Sequence, residues 1–262
     1  MCRWIAYKGQ PIFLDALVAA PERSLIAQSL HASEAASPTN GDGFGLGWYG
    51  ERPTPGLYRE VRPAWSDENL RSICAQVRSP LFFAHVRAAT GTASTRANCH
   101  PFVQGRRMFM HNGQVGGYRA VKRRIEALIP DNVYDSRLGS TDSEALFLAA
   151  HAFGLALDPV EAFARMLKHV QAVMADAGVE EALRFTCAMT DGETLWAFRW
   201  ASDDKAPSLY YRETADSLLV VSEPLDTERA CWREAPQGCA LIAAPGRPLE
   251  VRCMNAAIRQ AA

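Results

Sequence analysis

Two helical segments with clear start signals follow one another in the middle of the chain, and strand patterns flank them on both sides. The first starts at the capping box Thr141-x-x-Glu144 and continues through an apolar run. The second starts after Asp158, keeps apolar residues at helical spacing and stops at Gly178. Because apolar helix faces need a neighbouring layer to cover them, we expect the two helices to lie side by side over a sheet.

The flanking segments have the composition of strands. Before the helix pair there are two apolar runs. The first, residues 81–86, follows a turn-forming Ser79-Pro80, and the second, residues 108–110, ends at residues 111–113. After the helix pair, an Asp191-Gly192 turn indicates a hairpin within a series of strands at 185–189, 194–200, 208–212 and 218–222. This order predicts an α+β fold in which helices cover stacked antiparallel sheets.

Two further elements are expected in the N-terminal part of the chain. Residues 21–32 form a short helix with Pro21 in its first turn. Residues 39–50 form a glycine-rich loop that leads into a strand, where the glycines allow a close approach of the backbone or positive φ angles. No repeat, low-complexity tract or linker interrupts the chain, so we expect one domain over residues 2–262.

Composition excludes several classes of partner. The formal net charge is -1 and the charges are scattered, which gives no field for nucleic acid or for an anionic membrane surface. No apolar stretch approaches the length of a membrane span. The seven cysteines are odd in number and lack C-x-x-C spacing, so we expect reduced thiols in a cytoplasmic protein. A small neutral or zwitterionic substrate fits this composition best.

The chain opens Met1-Cys2-Arg3, and removal of Met1 would leave a cysteine with a free α-amino group. A thiol of pKa about 8.5 beside an amine of pKa about 7.7 to 8.0 places both groups near working pH. A terminal amine that activates its own side chain is a recognised form of nucleophilic catalysis. The alternative is that Cys2 merely follows the start codon.

Three other segments accompany this start in a fixed order along the chain. They are His85 to Thr90, Asn98 to Phe102 with His111-Asn112-Gly113, and Ser140 to Glu144. With Met1-Cys2-Arg3, this ordered set resembles the class II glutamine amidotransferases. The residues Ala88-Ala89-Thr90-Gly91-Thr92 and the stretch from Asn40 to Gly45 are similar to the stand-alone branch of the family, which includes the γ-glutamyl hydrolase of ergothioneine biosynthesis.

The resemblance implies an N-terminal-nucleophile hydrolase fold, an αββα sandwich, and a set of substrate-binding residues. Arg87 would bind the substrate carboxylate with its planar fork, Thr90 would add a hydroxyl contact, and Asp142 would bind the substrate ammonium. From the residues alone, Arg87 could instead form a surface ion pair and Asp142 could cap a helix. His100 could orient groups around the pocket or be a hydrogen-bonded core histidine.

The resemblance also implies the catalytic groups. Cys2 would be the nucleophile, and the Asn112 side chain and the Gly113 backbone N–H would form the oxyanion hole. From the residues alone, Asn112-Gly113 could instead be a turn. The resemblance implies no cofactor. The spacing of His85, Cys99, His100 and His111 resembles no zinc site, so no metal is expected either.

Three functions follow as hypotheses. The first is hydrolysis of glutamine through a Cys2 thioester, with glutamate and ammonia released and the ammonia passed to a separate synthase subunit, since no acceptor domain is visible after residue 145. The second is hydrolysis of a different γ-glutamyl amide. The third is a catalytically silent module that binds glutamine, which would need Arg87 and Asp142 but neither Cys2 nor Asn112. The sequence carries no information on oligomeric state.

Overall fold

The computed structural model describes residues 2–31, 39–89 and 93–254, in which two antiparallel sheets stack face to face between two helical layers. The strands are β1 Arg3–Phe13, β2 Phe44–Trp48, β3 Gly56–Glu60, β4 Arg78–Val86, β5 Phe102–Gln104, β6 Arg107–Val115, β7 Leu183–Thr190, β8 Leu195–Ala201, β9 Tyr210–Glu213, β10 Ser217–Val221, β11 Arg233–Glu234, β12 Cys239–Ala243 and β13 Glu250–Cys253. The helices are α1 Asp15–Val18, α2 Leu25–Leu30, α3 Glu68–Gln76, α4 Tyr118–Glu126, α5 Asp131–Tyr134, α6 Asp142–Ala149 and α7 Pro159–Asp176.

The strand order places the N-terminal strand in the middle of one sheet. The seven-stranded sheet has the order β11-β9-β10-β1-β4-β2-β3, and the six-stranded sheet has the order β13-β12-β8-β7-β6-β5. In the first sheet, Arg3 lies opposite Val86 of β4, and Ile5 lies opposite Val221 of β10. The start of β1 is therefore flanked by strands on both sides.

Three apolar layers hold the sandwich together. On β1, Ile5 and Tyr7 pack towards the helices of the seven-stranded sheet, while Trp4 and Ala6 pack between the two sheets. Alternate residues of a strand point to opposite faces of the sheet. A central strand that is covered by helices on one face and by the second sheet on the other is therefore apolar on both faces. The third layer lies between the six-stranded sheet and its helices. The expected α+β arrangement of stacked antiparallel sheets is confirmed.

The predicted helix pair is also confirmed. Helices α6 and α7 cover the six-stranded sheet, where Phe147 and Phe163 pack on Phe109 at ring-centroid distances of 5.0 and 5.8 Å. Asp158 accepts hydrogen bonds from the first backbone N–H groups of α7, and Gly178 follows its end with a φ of +69°. In the described part of the chain, no helix is long and apolar enough to cross a membrane.

Two local predictions were wrong. The helix expected from Pro21 begins at Leu25, because the Ser24 side chain caps it by accepting from the Ala27 N–H at 3.2 Å. The Ser79-Pro80 pair lies inside β4 rather than in a turn before it. Proline has no backbone N–H to donate to a neighbouring strand. Pro80 can still be part of a central strand, because the register between β1 and β4 shifts between Ser79 and Leu81 and no hydrogen bond from Pro80 is required there.

The remaining strand predictions are confirmed with small changes of bounds, and the hairpin joins β7 to β8. The glycine-rich segment is a loop only as far as Gly43, since β2 begins at Phe44. Within β2, a Cβ on Gly45 would lie 2.1 Å from the carbonyl oxygen of His100. The close approach expected of this segment is therefore its packing against the chain around His100.

Candidate active site

Cys2 lies at the start of β1, beside the end of β4. Since Arg3 pairs with Val86 in antiparallel register, the preceding residue Cys2 lies next to Arg87. The Cys2 thiol is 3.7 Å from the carbonyl oxygen of Ala88. Burial raises the pKa of the thiol, and the positive charges of Arg87 and Arg3 act in the opposite direction. At neutral pH the thiol is therefore protonated and needs a base to react.

Arg87 is buried at 3% exposure, so it does not lie at the surface, as the alternative interpretation would require. Its guanidinium donates to the carbonyl oxygen of Asp42 at 3.3 Å, and backbone hydrogen bonds join Arg87 to Asp42 and Gly43. The Asp42 carboxylate also accepts from the Ala89 N–H at 2.7 Å. The loop before β2 thus fixes the chain on both sides of Arg87. The predicted neighbour Thr90 lies outside the described residues.

Asn112 and Gly113 lie within β6 and do not form a turn. A Cβ on Gly113, whose φ is +155°, would lie 2.0 Å from the carbonyl oxygen of Arg184, so only glycine fits there. The side chain of Asn112 is 2% exposed, and its Nδ2 has no hydrogen-bond partner within the described ranges. Unpaired buried donors are rare and call for an explanation.

Beyond Phe109, the edge of β6 that faces away from β7 pairs with no strand of the described ranges. The Gly116 N–H donates to Ala182 beside β7, and backbone N–H groups of an antiparallel strand alternate between its two edges. The N–H groups of Val115 and Gly113 therefore point away from β7. The Val115 N–H donates to the Asp142 carboxylate at 2.8 Å, and pairing with β5 reaches only Phe109. Gly113 thus directs its N–H to the same side as Asp142.

Asp142 bridges β6 and α6 rather than capping the helix. The N-cap is Thr141, whose hydroxyl accepts from the Glu144 N–H at 3.2 Å. The Asp142 carboxylate accepts from the N–H groups of Val115 and Ser143, both at 2.8 Å. Two backbone donors therefore fix the half-buried Asp142 carboxylate at the first residue of α6, beside β6.

Three histidines fill the space between these groups. The rings of His85 and His100 lie 4.2 Å apart, and burial lowers the pKa of His85 to about 3. Burial also lowers the pKa of His100, with His85, His111 and Arg87 adding to this effect. His111 contacts the Ser143 hydroxyl at 2.8 Å. His100 packs on His85 without a hydrogen-bond partner among the residues described, so it is not the hydrogen-bonded core histidine of the alternative interpretation.

These contacts connect the predicted residues into one cluster. The Cys2 thiol contacts Ala88, the residue after Arg87, and the end of β4 packs on β6. Asp142 accepts from β6, and Ser143 beside it contacts His111, the residue before Asn112. The start of β1, the end of β4, the middle of β6 and the start of α6 therefore meet in one place.

The sequence did not identify the network that holds the loop before α6. Glu144, expected to complete the capping box, instead accepts from the N–H groups of Leu138 and Gly139 and pairs with Arg137 at 2.6 Å. Nearby, the buried Asn98 accepts from the Ser140 N–H at 2.7 Å. The only sequence signal for these roles was the presence of both residues in the family-like segments.

Among the described residues, no group of three or more His, Cys, Asp or Glu side chains is arranged to hold a metal ion. The cluster instead combines a thiol, a buried guanidinium, a carboxylate and an unpaired amide donor. Such a set can bind a zwitterionic amino acid and stabilise negative charge on an oxygen near the thiol.

The amino-acid sequence of the chain is similar to a known family and to individual known proteins. A family model described as glutamine amidotransferases class-II matches residues 21–212. The chain is 33% identical to the probable glutamine amidotransferase DUG3 of Saccharomyces cerevisiae, over 92% of this chain and 81% of that protein. It is 26% identical to the gamma-glutamyl-hercynylcysteine sulfoxide hydrolase of Mycolicibacterium smegmatis, over 90% of this chain and 92% of that protein.

Solved structures are similar over nearly the whole chain. A glutamine aminotransferase class-II domain protein from Silicibacter pomeroyi superposes with a TM-score of 0.77 at 40% identity, over 97% of this chain and 99% of that one. The glutamine phosphoribosylpyrophosphate amidotransferase of B. subtilis superposes with a TM-score of 0.60 at 15% identity, over 97% of this chain and 49% of that one. The second likeness concerns the fold alone, and it confirms the expected N-terminal-nucleophile sandwich.

Proposed function

This chain belongs to the class II glutamine amidotransferases, and on that premise we propose that it hydrolyses a γ-glutamyl amide through a thioester on Cys2. The products are glutamate and the amine of the amide, which is ammonia when the substrate is glutamine. The proposal requires processed protein in which Cys2 is the N-terminal residue.

The observation that carries the proposal is the unpaired Nδ2 of Asn112 beside Gly113. A buried amide donor without a partner costs about 1–3 kcal/mol in the resting protein. An oxyanion that forms during the reaction would accept hydrogen bonds from this donor and from the Gly113 N–H. The cost of the unpaired donor is therefore removed when negative charge develops on the substrate oxygen. A module that only binds amino acids has no need of such a donor.

Recognition of the substrate fits Arg87 and Asp142. The glutamyl end of the substrate carries one carboxylate and one ammonium, and the cluster offers one buried guanidinium and one carboxylate held by backbone donors. Arginine binds a carboxylate through two parallel hydrogen bonds, which fixes the orientation of the bound group. Both contacts involve only the glutamyl half, so the amide substituent is not selected by them.

The chemistry then proceeds in two halves. The free α-amine of Cys2 accepts the thiol proton, and the thiolate attacks the γ-carbonyl carbon to give a tetrahedral oxyanion held by Asn112 and Gly113. The intermediate collapses when the leaving amine takes the proton from the α-ammonium, which leaves a γ-glutamyl thioester. Water, deprotonated by the α-amine, attacks the thioester through a second oxyanion, and glutamate leaves as the thiol is restored.

Two substrate classes are compatible with this site. Glutamine is favoured by the family to which the chain belongs, and its hydrolysis would release ammonia. A substituted γ-glutamyl amide is favoured by the similarity to a hydrolase of Mycolicibacterium smegmatis whose name describes such a compound. The protein has the same glutamyl recognition in either case.

The test is a panel of γ-glutamyl amides incubated with processed protein, with glutamate release as the measurement. We expect release from at least one member by the wild type and none by Cys2→Ala. Cys231→Ala, which removes an exposed thiol of the same chain, is the matched control and should keep full activity. Turnover by Cys2→Ala, or no release from any amide by processed wild type, would refute the proposal.

A further inference from the structure

A fully buried ion pair lies directly behind Cys2. The Nε of Arg3 is 3.0 Å from the Oε2 of Glu223, and the two side chains are 0% and 1% exposed. Desolvation makes such a pair a weak source of stability, and apolar residues of similar size are often as stable or more so. Its presence beside the proposed nucleophile therefore needs another explanation.

Glu223 is itself firmly placed, in the segment Ser222-Glu223-Pro224-Leu225 that follows β10. The Trp4 N–H donates to the Ser222 hydroxyl at 2.9 Å, and the Ser222 N–H donates to the Trp4 carbonyl oxygen at 3.1 Å. The Gln28 amide donates to the carbonyl oxygens of Glu223 and Pro224. The segment is thus joined to β1 on one side and to α2 on the other.

Arg3 transmits this placement to Cys2. Its Nη1 donates to the Cys2 carbonyl oxygen at 3.2 Å, while the Cys2 thiol contacts the Ala88 carbonyl oxygen at 3.7 Å. Terminal residues are poorly ordered unless they are tied down. Once Met1 is removed, Cys2 is such a residue, and it precedes the first residue of β1.

We propose that Arg3 and Glu223 are positioning residues that hold the N-terminal Cys2 at the reaction centre, an inference that rests on the proposed function for its kinetic consequence. The ion pair fixes the guanidinium, and the guanidinium fixes the Cys2 carbonyl. An apolar pair would fill the same space but could not hold the terminal residue. Neither side chain touches the substrate in this account.

The test is the double variant Arg3→Met/Glu223→Met. Removal of both charges leaves no fully buried ion unpaired. Arg23, whose guanidinium lies 3.9 Å from the Glu223 carboxylate, is 28% exposed and is solvated in the variant, so we expect the protein to fold with little change in Tm. Because misplacement of a reacting group by about 1 Å can cost about 10²-fold in rate, we expect kcat to fall by about 10- to 100-fold with KM nearly unchanged. Arg212→Met/Asp226→Asn removes a half-buried ion pair of the same length between β9 and the chain after Leu225, and should keep wild-type kcat.

A second readout does not depend on turnover. Processed wild type and the double variant are exposed to a nonspecific aminopeptidase, and loss of Cys2 is followed by intact mass. We expect the variant to lose Cys2 at least tenfold faster, and the control pair to behave as wild type. Equal trimming rates would refute the anchoring role even if the wild type were active. If anchoring is found but no amide is hydrolysed, the proposed function fails and the anchoring role stands.

A different observation carries a second inference at the far edge of the six-stranded sheet. Cys239 of β12 and Cys253 of β13 face each other, and their sulfur atoms are 3.3 Å apart. The next pair along is hydrogen-bonded, since the Met254 N–H donates to the Gly238 carbonyl oxygen. By alternation the two cysteines occupy a non-hydrogen-bonded position, where side chains of antiparallel strands approach most closely.

We infer that these two thiols are a site of reversible oxidation by small disulfides. The exposed Cys253 thiolate attacks one sulfur of the disulfide and releases one thiol. The Cys239 thiol then loses its proton and attacks the Cys253 sulfur of the mixed disulfide, which releases the second thiol and joins β12 to β13. Two protein thiols are oxidised and one small disulfide is reduced to two thiols.

The test uses 2-hydroxyethyl disulfide, which carries no γ-glutamyl group. We expect a peptide linking Cys239 to Cys253 in the digest of the wild type, beside any mixed disulfide on the exposed Cys231. Cys239→Ser should instead retain the mixed disulfide on Cys253. The inference is refuted if wild type yields only mixed disulfides, on Cys231 or Cys253, and no linked peptide.

Discussion

Replacement of Asn112 by alanine should lower activity without lowering stability. The donor that the substitution removes is unpaired among the described residues, so no protein hydrogen bond is lost. Removal of an unsatisfied buried donor stabilises the folded protein by about 1–3 kcal/mol, which offsets the packing energy lost when the side chain becomes smaller. We therefore expect the free energy of unfolding to be unchanged or higher. Loss of an oxyanion-hole donor costs about 2.7–4 kcal/mol in the transition state, so kcat should fall about 10²- to 10³-fold.

Asn98→Ala is the matched control for this experiment, because Asn98 is equally buried but fully engaged. It donates to the Ala93 carbonyl oxygen at 2.8 Å and accepts from the Ser140 N–H at 2.7 Å. Its removal breaks both of these hydrogen bonds, so we expect a loss of about 1–3 kcal/mol in stability. The assays are glutamate release and urea unfolding of both variants. If Asn112→Ala keeps wild-type kcat, or is destabilised as much as Asn98→Ala, the oxyanion-hole reasoning is wrong.

Three further predictions address recognition, protonation and the strand geometry. Arg87→Lys should raise KM for the γ-glutamyl substrate by at least tenfold with a smaller change in kcat, because lysine lacks the fork, and an unaltered KM would contradict that role. The pKa of His85 is about 3 in the folded protein, against about 6.5 when unfolded, so protonation favours unfolding. His85 should therefore contribute a fall of about 1.4 kcal/mol per pH unit in the free energy of unfolding from about pH 6.5 towards pH 3, in addition to falls of the same sign from His100 and His111. His85→Gln should reduce the slope by that share in urea titrations. Gly113→Ala should lose activity together with stability, because its Cβ would clash with the Arg184 carbonyl oxygen; wild-type Tm and turnover would show that the local geometry is wrong.

The general architecture could be predicted because it follows from local patterns. Apolar periodicity and caps identified α6 and α7, and the Asp191-Gly192 turn identified the hairpin between β7 and β8. The helix at Pro21 was predicted to begin too early because two start signals compete within four residues. The hydroxyl of Ser24 reaches the Ala27 N–H, and that tertiary detail decides where the helix begins.

The site was harder to predict because its residues have ordinary local interpretations. Asn112-Gly113 is a strong turn signal, yet the pair is held in β6 by its neighbours. Asp142 resembles a helix cap, but Thr141 takes that role and leaves the carboxylate to bridge α6 and β6. Contacts between strands that are distant in sequence decide both cases, and a single sequence does not record them.

The role inferred for Glu223 was beyond sequence reasoning for the same reason. It is separated from Arg3 by most of the chain, and the two meet because β10 pairs with β1. The segment Ser222 to Leu225 directly follows β10 in the chain. Its link to Cys2 depends on the strand order of the seven-stranded sheet.

The most direct test of the central claim is to trap the covalent intermediate. Processed protein is mixed with its best γ-glutamyl amide, quenched in acid within the first turnover and analysed by intact mass and peptide mapping. We expect a γ-glutamyl group on Cys2 that hydroxylamine removes, and none on Cys2→Ala. Rapid turnover with no acyl group on Cys2 at any quench time, or an acyl group on another residue, would contradict the account.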